Sequence, residues 1–413
     1  MKTMVKRRPE LLAPAGDAER LEAALFYGAD AVYLGGKLFN MRAATESFDD
    51  EALKSAVNKC HEKGVDVHLV ANTLPRNDEV EKLPAFFENA AEAGVDAFII
   101  ADIGVMRAAQ KYAPGIDIHM STQTGVVNYD TASALYDLGA KRIVMAREVS
   151  LKDIAEIRRR TPKELEIECF VHGAMCMSFS GRCMLSNYLT GRDANRGDCA
   201  QPCRWKYHLV EEKRPGQYFE ITDSEDGTYI LNSQDMCMIE HIGELVDAGV
   251  DSFKIEGRAK SAYYAAAVTN AYRAAIDEYL NNPSTDFRPS QWIIDEMKKI
   301  SYRDYCTGFY FNNPSDNAHV YYDGIYIREW DIVANVLGSD GEYIDVIQRN
   351  RFFKGDELEV LMPQTEPFSI KVDFMTNESG EEIDVAPNPM AKIRIKCDRE
   401  IPGGSILRKI RED

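Results

Sequence analysis

The sequence predicts an α/β protein built on a closed (β/α)8 TIM-like barrel and followed by a small antiparallel β-barrel domain. From residue 10 to about 280, eight short apolar runs rich in β-formers alternate with amphipathic helical runs. This alternation is typical of a parallel sheet covered by helices, and eight units favour a closed barrel. An open doubly wound sheet is the alternative, but no G-x-G-x-x-G turn follows the first run.

Each barrel strand is predicted from a run of apolar and β-branched residues. The predicted strands are ELLAPA (10–15), AVYLGG (31–36), VHLVAN (67–72), AFIIAD (97–102), IHMSTQ (118–123), RIVMAR (142–147), IECFVH (167–172) and SFKIEG (252–257). Helices between them carry boundary residues, such as Asp17 as an N-cap and Gly28 near a helix end.

The chain divides into three predicted parts. Residues 1–280 form the barrel and include a Cys-rich insertion at 173–230, which follows strand seven. Residues 281–319 contain a linker and a bridging helix, and residues 320–413 form the β-barrel domain, where short alternating runs are separated by turns such as SDGE and PGGS. Residues 231–249 are predicted to be a helix, with Cys237 near its start.

Composition bounds the functional class. No stretch of eighteen apolar residues is present and the first ten residues lack an apolar signal core, so we expect a cytoplasmic protein with reduced thiols and no membrane contact. A net charge of −18 argues against indiscriminate binding to nucleic acid. The stretch 169–206 differs, because it holds five basic residues and two acidic ones.

Cysteines are concentrated between residues 168 and 205, where five of the nine lie. Four of these thiols could converge on one metal centre, namely Cys176, Cys183, Cys199 and Cys203. Four thiolates bind an iron–sulfur cluster or a zinc ion, and the spacing matches neither a zinc ribbon nor a ferredoxin. Clustering of the thiols beside Gly, Arg and Asn favours a metal centre over inert buried cysteines, and iron–sulfur over zinc.

Polar residues follow the predicted strands at their carboxyl ends, where barrel enzymes carry their chemistry. They are Asn40 and Arg42 after strand two, Asn72 after three, Asp102 after four, Gln123 and Asn128 after five, Arg147 and Glu148 after six, His172 after seven, and Glu256 and Arg258 after eight. Any one of them could simply cap a helix or face solvent, but their coincidence at one rim predicts a pocket. The Cys-rich insertion leaves the same rim, so a cluster would lie over the barrel mouth.

Several motifs resemble those of the peptidase family U32. The run from Glu168 to Ser186, with GAMC at 173–176 and GRC at 181–183, resembles the family signature. GDCAQPCRW (197–205), SFKIEGR (252–258) and ELLAPAG (10–16) resemble further blocks of the family. The similarity extends over nearly the whole chain.

The resemblance is closest to family members that hydroxylate tRNA. It implies oxygen-independent formation of 5-hydroxyuridine at the wobble position, with prephenate as co-substrate. It also implies a 4Fe-4S cluster bound by Cys176, Cys183 and Cys199. Cys203 is the expected fourth ligand, and Cys237 is the alternative. The implied partners are tRNA, a small dicarboxylate metabolite and a second protein of the same family.

If the co-substrate is a dicarboxylate, arginines around the mouth are expected to bind it. The planar fork of N–H donors on a guanidinium group fits a carboxylate. The candidate catalytic residues are Arg147, His172, Glu256 and Arg258, and the candidate substrate-binding residues are Arg42, Asn72, Gln123, Arg182 and Arg204. In the alternative interpretation, some of these arginines only pair with neighbouring carboxylates such as Glu148, Asp198 or Glu256.

Two other functions stay open at this point. The family name suggests a peptidase, although the sequence contains neither an H-E-x-x-H nor a G-x-S-x-G motif. Cys169 and His172 lie three residues apart on one predicted strand, so their side chains would point to opposite faces unless a bulge intervened. The third interpretation is a metal-stabilised RNA-binding module without catalysis.

Overall fold

Eight parallel strands close into a barrel, as the sequence predicts. The computed structural model describes residues 8–41, 47–174, 189–192, 200, 222–224, 227–229, 234–311 and 326–411. The barrel strands are β1 (Glu10–Pro14), β2 (Ala31–Gly35), β3 (Asp66–Ala71), β4 (Ala97–Ile100), β5 (Asp117–Met120), β6 (Arg142–Val144), β7 (Glu166–Ala174) and, after three short strands, β11 (Ser252–Ile255). Each strand pairs with the next, and β11 pairs in parallel with both β7 and β1, which closes the barrel.

Helices cover the outside of the barrel. The described helices are α1 (Ala18–Phe26), α2 (Asp50–Glu62), α3 (Asn77–Val80), α4 (Leu83–Ala93), α5 (Ile103–Tyr112), α6 (Tyr129–Asp137), α7 (Leu151–Arg160), α8 (Ile242–Asp247), α9 (Ala262–Asn281) and α10 (Gln291–Glu296), with short 3-10 turns at Thr122–Thr124 and Ile239–His241. The side chain of Asp17 accepts a hydrogen bond from Arg20 N, which confirms the predicted N-cap of α1. Of these helices, none combines the length and apolar character that a bilayer span requires.

The strands have two differently composed faces. The outer face packs with the helices in one large apolar core. A smaller apolar group, formed by Leu12, Ala31, Tyr33, Val70 and Ile99, is separate from that core and comes from β1 to β4. Alternate residues of a strand share a face, so these side chains mark the barrel interior.

The segment after the Cys-rich insertion differs from the prediction. Residues 231–249 were expected to form one helix, but Asp235–Cys237 form strand β10, and the α-helix begins only at Ile242. Strand β10 pairs antiparallel with the end of β7, and β12 (Tyr305–Cys306) pairs with β10. The backbone of this segment therefore extends the sheet where a local helix was predicted. Strands β8 (Thr222–Ser224) and β9 (Gly227–Tyr229) form a hairpin, and apart from these strands and residues 173–174, 189–192 and 200 the predicted insertion lies outside the described residues.

The C-terminal part forms a seven-stranded antiparallel sheet. Its strands are β13 (Trp330–Ser339), β14 (Tyr343–Gln348), β16 (Glu357–Leu361), β17 (Phe368–Lys371), β18 (Met375–Thr376), β20 (Lys392–Lys396) and β21 (Ile406–Ile410), while β15 (Phe352–Phe353) and β19 (Val385–Ala386) pair separately. Buried side chains from these strands form a second core, so this part has its own apolar interior.

A buried ionic group joins the two parts of the chain. Arg408 of β21 is fully buried and donates to Glu296 Oε2 at 2.8 Å from Nη1 and to Glu359 Oε1 at 2.8 Å from Nε. Lys299 Nζ lies 2.8 Å from Glu359 Oε1 and 3.1 Å from Glu296 Oε1. Glu296 is itself fully buried, so its charge depends on these cations.

We expect Arg408→Met to destabilise the protein by about 3–5 kcal/mol, because the substitution leaves the buried Glu296 carboxylate without its guanidinium partner. Urea titration followed by tryptophan fluorescence measures the effect, since the Trp330 ring lies 5.5 Å from the Arg408 guanidinium carbon. The matched control is Arg394→Met, which removes an exposed arginine that pairs with the exposed Asp340 and should cost about 0–1 kcal/mol. Equal effects of the two substitutions would contradict the prediction.

Candidate functional site at the barrel mouth

The carboxyl ends of the strands bring several predicted residues to one rim. Arg147 follows β6, His172 lies in β7, and Arg258 follows β11. Other predicted residues of this rim are Asn72 after β3, Gln123 after β5 and Glu256 after β11. Arg42, Arg182, Arg204, Cys176, Cys183, Cys199 and Cys203 lie outside the described residues.

Arg147 is buried and tied to two neighbouring strands. Its Nη1 donates to the carbonyl of Ala174 at 2.9 Å, and its Nη2 lies 3.5 Å from Glu256 Oε2. The guanidinium carbon stacks 4.0 Å from the centre of the Phe170 ring. These contacts hold the cation in one orientation beside the strand ends, and the side chain of Glu256 stays 22% exposed beside it.

Arg258 contacts residues of β2 and of the loop that follows it. Its side chain is 5% exposed, and Nη2 donates to Asn40 Oδ1 at 2.8 Å. A Cβ added at Gly35 would lie 2.2 Å from Asn40 Nδ2 and 2.6 Å from Arg258 Nη1, so a larger residue at this strand end would displace the hydrogen-bonded pair. The Tyr33 ring lies 5.7 Å from the guanidinium carbon, and the Tyr33 hydroxyl donates to the carbonyl of Ile255 at 2.9 Å.

Asn72 and Gln123 meet at the loop that follows β2. The Met41 amide donates to Asn72 Oδ1 at 3.3 Å, and Gln123 Nε2 contacts the Met41 sulfur. Phe39 in the same loop has a φ of 56°, which is uncommon for a residue other than glycine. Both predicted polar residues therefore position the loop that carries Asn40, the partner of Arg258.

His172 faces an aromatic enclosure. Its ring centre lies 5.9, 5.6 and 5.5 Å from those of Tyr264, Tyr272 and Tyr305. Burial lowers the pKa of His172 to about 3. The imidazole is therefore neutral at neutral pH, and it packs the end of β7 against α9 and β12.

Cys237 lies where the chain returns to the barrel after the insertion. In the antiparallel pairing of β10 with β7, Cys237 is opposite His172 and Asp235 is opposite Ala174. The half-buried thiol lies 3.9 Å from the Tyr272 hydroxyl. Because Cys176 follows Ala174 by only two residues, the fold brings Cys237, the cysteine predicted as the alternative fourth ligand, close in the chain pairing to the start of the insertion.

Cys169 and His172 do not form a catalytic pair. The Cys169 thiol is buried near the Tyr310 hydroxyl, whereas His172 packs against the aromatic enclosure. Burial raises the pKa of Cys169 and lowers that of His172, so neither a thiolate nor an imidazolium is favoured. A cysteine nucleophile with a histidine base therefore has no support among the described residues.

The sequence analysis missed a charged layer inside the barrel. Arg142 Nη1 lies 2.5 Å from Glu10 Oε1 and 3.1 Å from Glu168 Oε2, and its Nη2 lies 2.8 Å from Glu166 Oε2. Lys254 Nζ donates to Glu168 Oε1 at 2.7 Å. The sequence did carry a signal for this layer, because the charged residues of β6, β7 and β11 alternate with apolar ones. Period-two spacing places Arg142, Glu166, Glu168 and Lys254 on the inner face.

We expect acid to destabilise the barrel between about pH 4.5 and pH 2. Burial alone would raise the pKa of Glu10, but the adjacent Arg142 guanidinium outweighs it, and the pKa falls from 4.5 to about 2. The unfolded chain then binds more protons in this window, so the stabilisation is present above about pH 4.5 and is lost toward pH 2. Glu10→Gln should flatten this part of the urea-midpoint profile, and the exposed Glu51→Gln should not. Identical profiles for both variants would refute the assignment.

The described geometry defines a class of protein: a (β/α)8 barrel whose mouth presents buried, oriented arginines suited to an anionic ligand. The model of peptidase family U32 matches residues 16–319, and that of the U32 C-terminal domain matches residues 328–408. The chain belongs to the U32 family, which confirms the resemblance seen in its motifs.

Known relatives cover most of the chain. It is 34% identical to the tRNA hydroxylation protein P1 of Bacillus subtilis, over 99% of this chain and 96% of that protein. It is 33% identical to the tRNA hydroxylation protein P of Escherichia coli, over 92% of both chains. It is also 32% identical to the 23S rRNA 5-hydroxycytidine C2501 synthase of Escherichia coli, over 94% of this chain and 58% of that protein.

Proposed function

We propose that this protein is an RNA-hydroxylating enzyme that forms 5-hydroxyuridine at the wobble position of tRNA. The observation that carries the proposal is the pair of buried arginines, Arg147 and Arg258, each oriented at the carboxyl end of a barrel strand. Support for RNA as the substrate comes from the names of the relatives that cover nearly the whole chain. The proposal places the reacting base at the mouth and a small anionic co-substrate against the arginines.

The arginines suit a dicarboxylate such as prephenate. Each guanidinium presents N–H donors in a planar fork whose shape matches a carboxylate, and the bonds to the Ala174 carbonyl and to Asn40 fix the orientation of that fork. Glu256 and the Phe170 ring limit the movement of Arg147, as Asn40 and the Tyr33 ring limit that of Arg258. Preoriented cations bind carboxylates with a smaller loss of side-chain entropy.

A 4Fe-4S cluster is the proposed cofactor. The donor set fits, since Cys176, Cys183 and Cys199 supply three soft thiolates and either Cys203 or Cys237 supplies the fourth. The placement of Cys237 opposite His172 favours Cys237, because it lies next to the point where the insertion leaves β7. When bound, such a cluster supplies one-electron chemistry.

Peptide hydrolysis is the competing activity suggested by the family name. The separate surroundings of Cys169 and His172 disfavour it, as does the neutral state of both side chains. A purely RNA-binding role would not need arginines buried at the strand ends, since phosphates are usually met by exposed basic groups. Hydroxylation therefore accounts best for the geometry of the mouth.

Deletion of the gene, in a strain with no second copy of the family, should remove 5-hydroxyuridine and its derivatives from total tRNA. Mass spectrometry of nucleosides from digested tRNA measures the loss, and expression of the intact chain from a plasmid should restore the modification. Normal wobble-uridine modification in the deletion strain would refute the proposed function.

A further inference from the structure

A second group of potential metal ligands lies deep inside the barrel. His68 of β3, His119 of β5 and Glu168 of β7 are all buried, and each offers a ligand atom within 4.8 Å of the others. The centres of the two imidazole rings are 4.7 Å apart, with an interplanar angle of 87°. His68 shares the inner face with Val70, and His119 lies opposite Ile99 of the neighbouring strand.

The two imidazoles retain bonding capacity. Nδ1 of His68 and Nδ1 of His119 are both buried without a hydrogen-bond partner among the described residues. A buried polar atom in this state costs about 1–3 kcal/mol unless something binds it. Burial also lowers the pKa of both rings, so each is in the neutral form that coordinates metal ions.

The surrounding charge favours a cation. Glu10, Glu166 and Glu168 contribute three negative charges, while Arg142 and Lys254 contribute two positive charges through the contacts described above. With neutral imidazoles this group carries one net negative charge in a buried environment. An anion would add to the excess charge, whereas a divalent cation is attracted to it.

An opening reaches the layer from the amino-terminal end of the barrel. A cavity of about 230 Å³ is lined there by residues that include Glu10, Asp66 and Arg142. Glu10, Asp66 and His68 also offer ligand atoms within 4.8 Å of one another, so His68 belongs to both groups. The cavity thus reaches the carboxylates that adjoin His68, at the end of the barrel opposite Arg147 and Arg258.

We propose that His68, His119 and Glu168 bind a borderline divalent cation of the Zn²⁺ or Fe²⁺ class, at a site distinct from the cysteine cluster. Two imidazoles and one carboxylate are a ligand set that such ions prefer. Ligand atoms on one such ion lie roughly 3–3.5 Å apart, given metal–ligand bonds of about 2.0–2.2 Å. The ligand atoms lie within 4.8 Å of one another, so binding requires each to move by about 1 Å or less. Lys254 and Arg142 are the outer partners of Glu168.

Zinc binding to the cluster-loaded full-length protein tests the site. After equilibration with Zn²⁺ and gel filtration under anaerobic conditions, zinc, iron and sulfide are measured on the same sample. We expect the wild type to retain one more zinc per chain than His68→Gln or His119→Gln, with iron and sulfide unchanged. The matched control is His61→Gln, because His61 is an exposed histidine that pairs with Asp96 on the barrel surface.

Equal retained zinc per chain in the wild type and in both inner-histidine variants would refute the proposed site. His68 and His119 would then be neutral buried imidazoles that bind no metal. If the two variants fail to fold, Co²⁺ added to the wild-type protein decides the question. A visible d–d spectrum without a thiolate charge-transfer band supports a nitrogen and oxygen site, and no retained cobalt overturns it. Neither result depends on the hydroxylation assay, so the metal site and the proposed function fail separately.

Discussion

Alanine at Cys176, Cys183 or Cys199 is expected to remove iron, acid-labile sulfide and tRNA hydroxylation together. Each thiolate would be one of four cluster ligands, and a three-ligand site loses much of the binding free energy. We expect nearly complete loss of the broad visible absorbance of the anaerobically purified protein. Partial aggregation should accompany it, because ligation and local folding are coupled. Full iron retention in all three variants would contradict the cluster assignment.

The fourth ligand is decided by a comparison of Cys203→Ala with Cys237→Ala. We expect Cys237→Ala to behave like the three ligand variants, since β10 holds this thiol opposite His172 at the base of the insertion. Cys203→Ala should then retain most of its iron. The reverse result would restore Cys203 as the ligand. Cys397→Ala is the control, because that buried cysteine belongs to the C-terminal core and should leave the iron content unchanged.

The barrel could be predicted because its signal is local. The strand predicted at 67–72 is observed at Asp66–Ala71, and the strand predicted at 252–257 is observed at Ser252–Ile255. The observed limits lie within two residues of the predicted ones. A parallel strand buried on both faces is rich in apolar and β-branched residues, so its composition reveals it even where single charged residues interrupt the run. Closure followed from the count of eight such strands, which needs no knowledge of individual contacts.

The β-sheet pairing of the strand that carries Cys237 could not be predicted from the neighbouring sequence. Met236, Ile239, Ile242 and Leu245 follow a helical spacing and are all buried, so the pattern predicted burial correctly. The conformation of Met236 is nevertheless extended, because its strand pairs with Gly173, which lies 63 residues earlier. Such a long-range pairing overrides local preference and leaves no trace in a single sequence.

The inner charged layer shows a second limit of prediction from the sequence. Arg142 and Glu168 alternate with apolar residues, so their position on the inner face was readable from the sequence. The sequence does not show what compensates these buried charges, because Arg142 pairs with Glu10, which lies 132 residues away. A buried charge is tolerated only with such partners, and only the closed barrel brings these strands together.

Arg258→Met and Arg147→Met are each expected to reduce tRNA hydroxylation at least about 100-fold while the iron content stays normal. Each substitution would remove charge-assisted hydrogen bonds to a carboxylate of the proposed co-substrate, worth about 1.5–3 kcal/mol apiece. Lysine at either position should rescue little, because an ammonium group cannot reproduce the planar fork. The measurement is 5-hydroxyuridine formed by purified variants as a function of prephenate concentration, with iron determined on the same preparations.

Two controls separate ligand binding from a purely structural role of these arginines. Asn40→Ala removes the acceptor of the Arg258 hydrogen bond but leaves the guanidinium in place, so we expect a loss of about tenfold or less. Arg159→Met removes an exposed arginine of α7 that pairs with Glu156, and it should leave the activity unchanged. Wild-type activity in both mouth variants would show that Arg147 and Arg258 only brace the barrel. The dicarboxylate site would then have to be sought elsewhere.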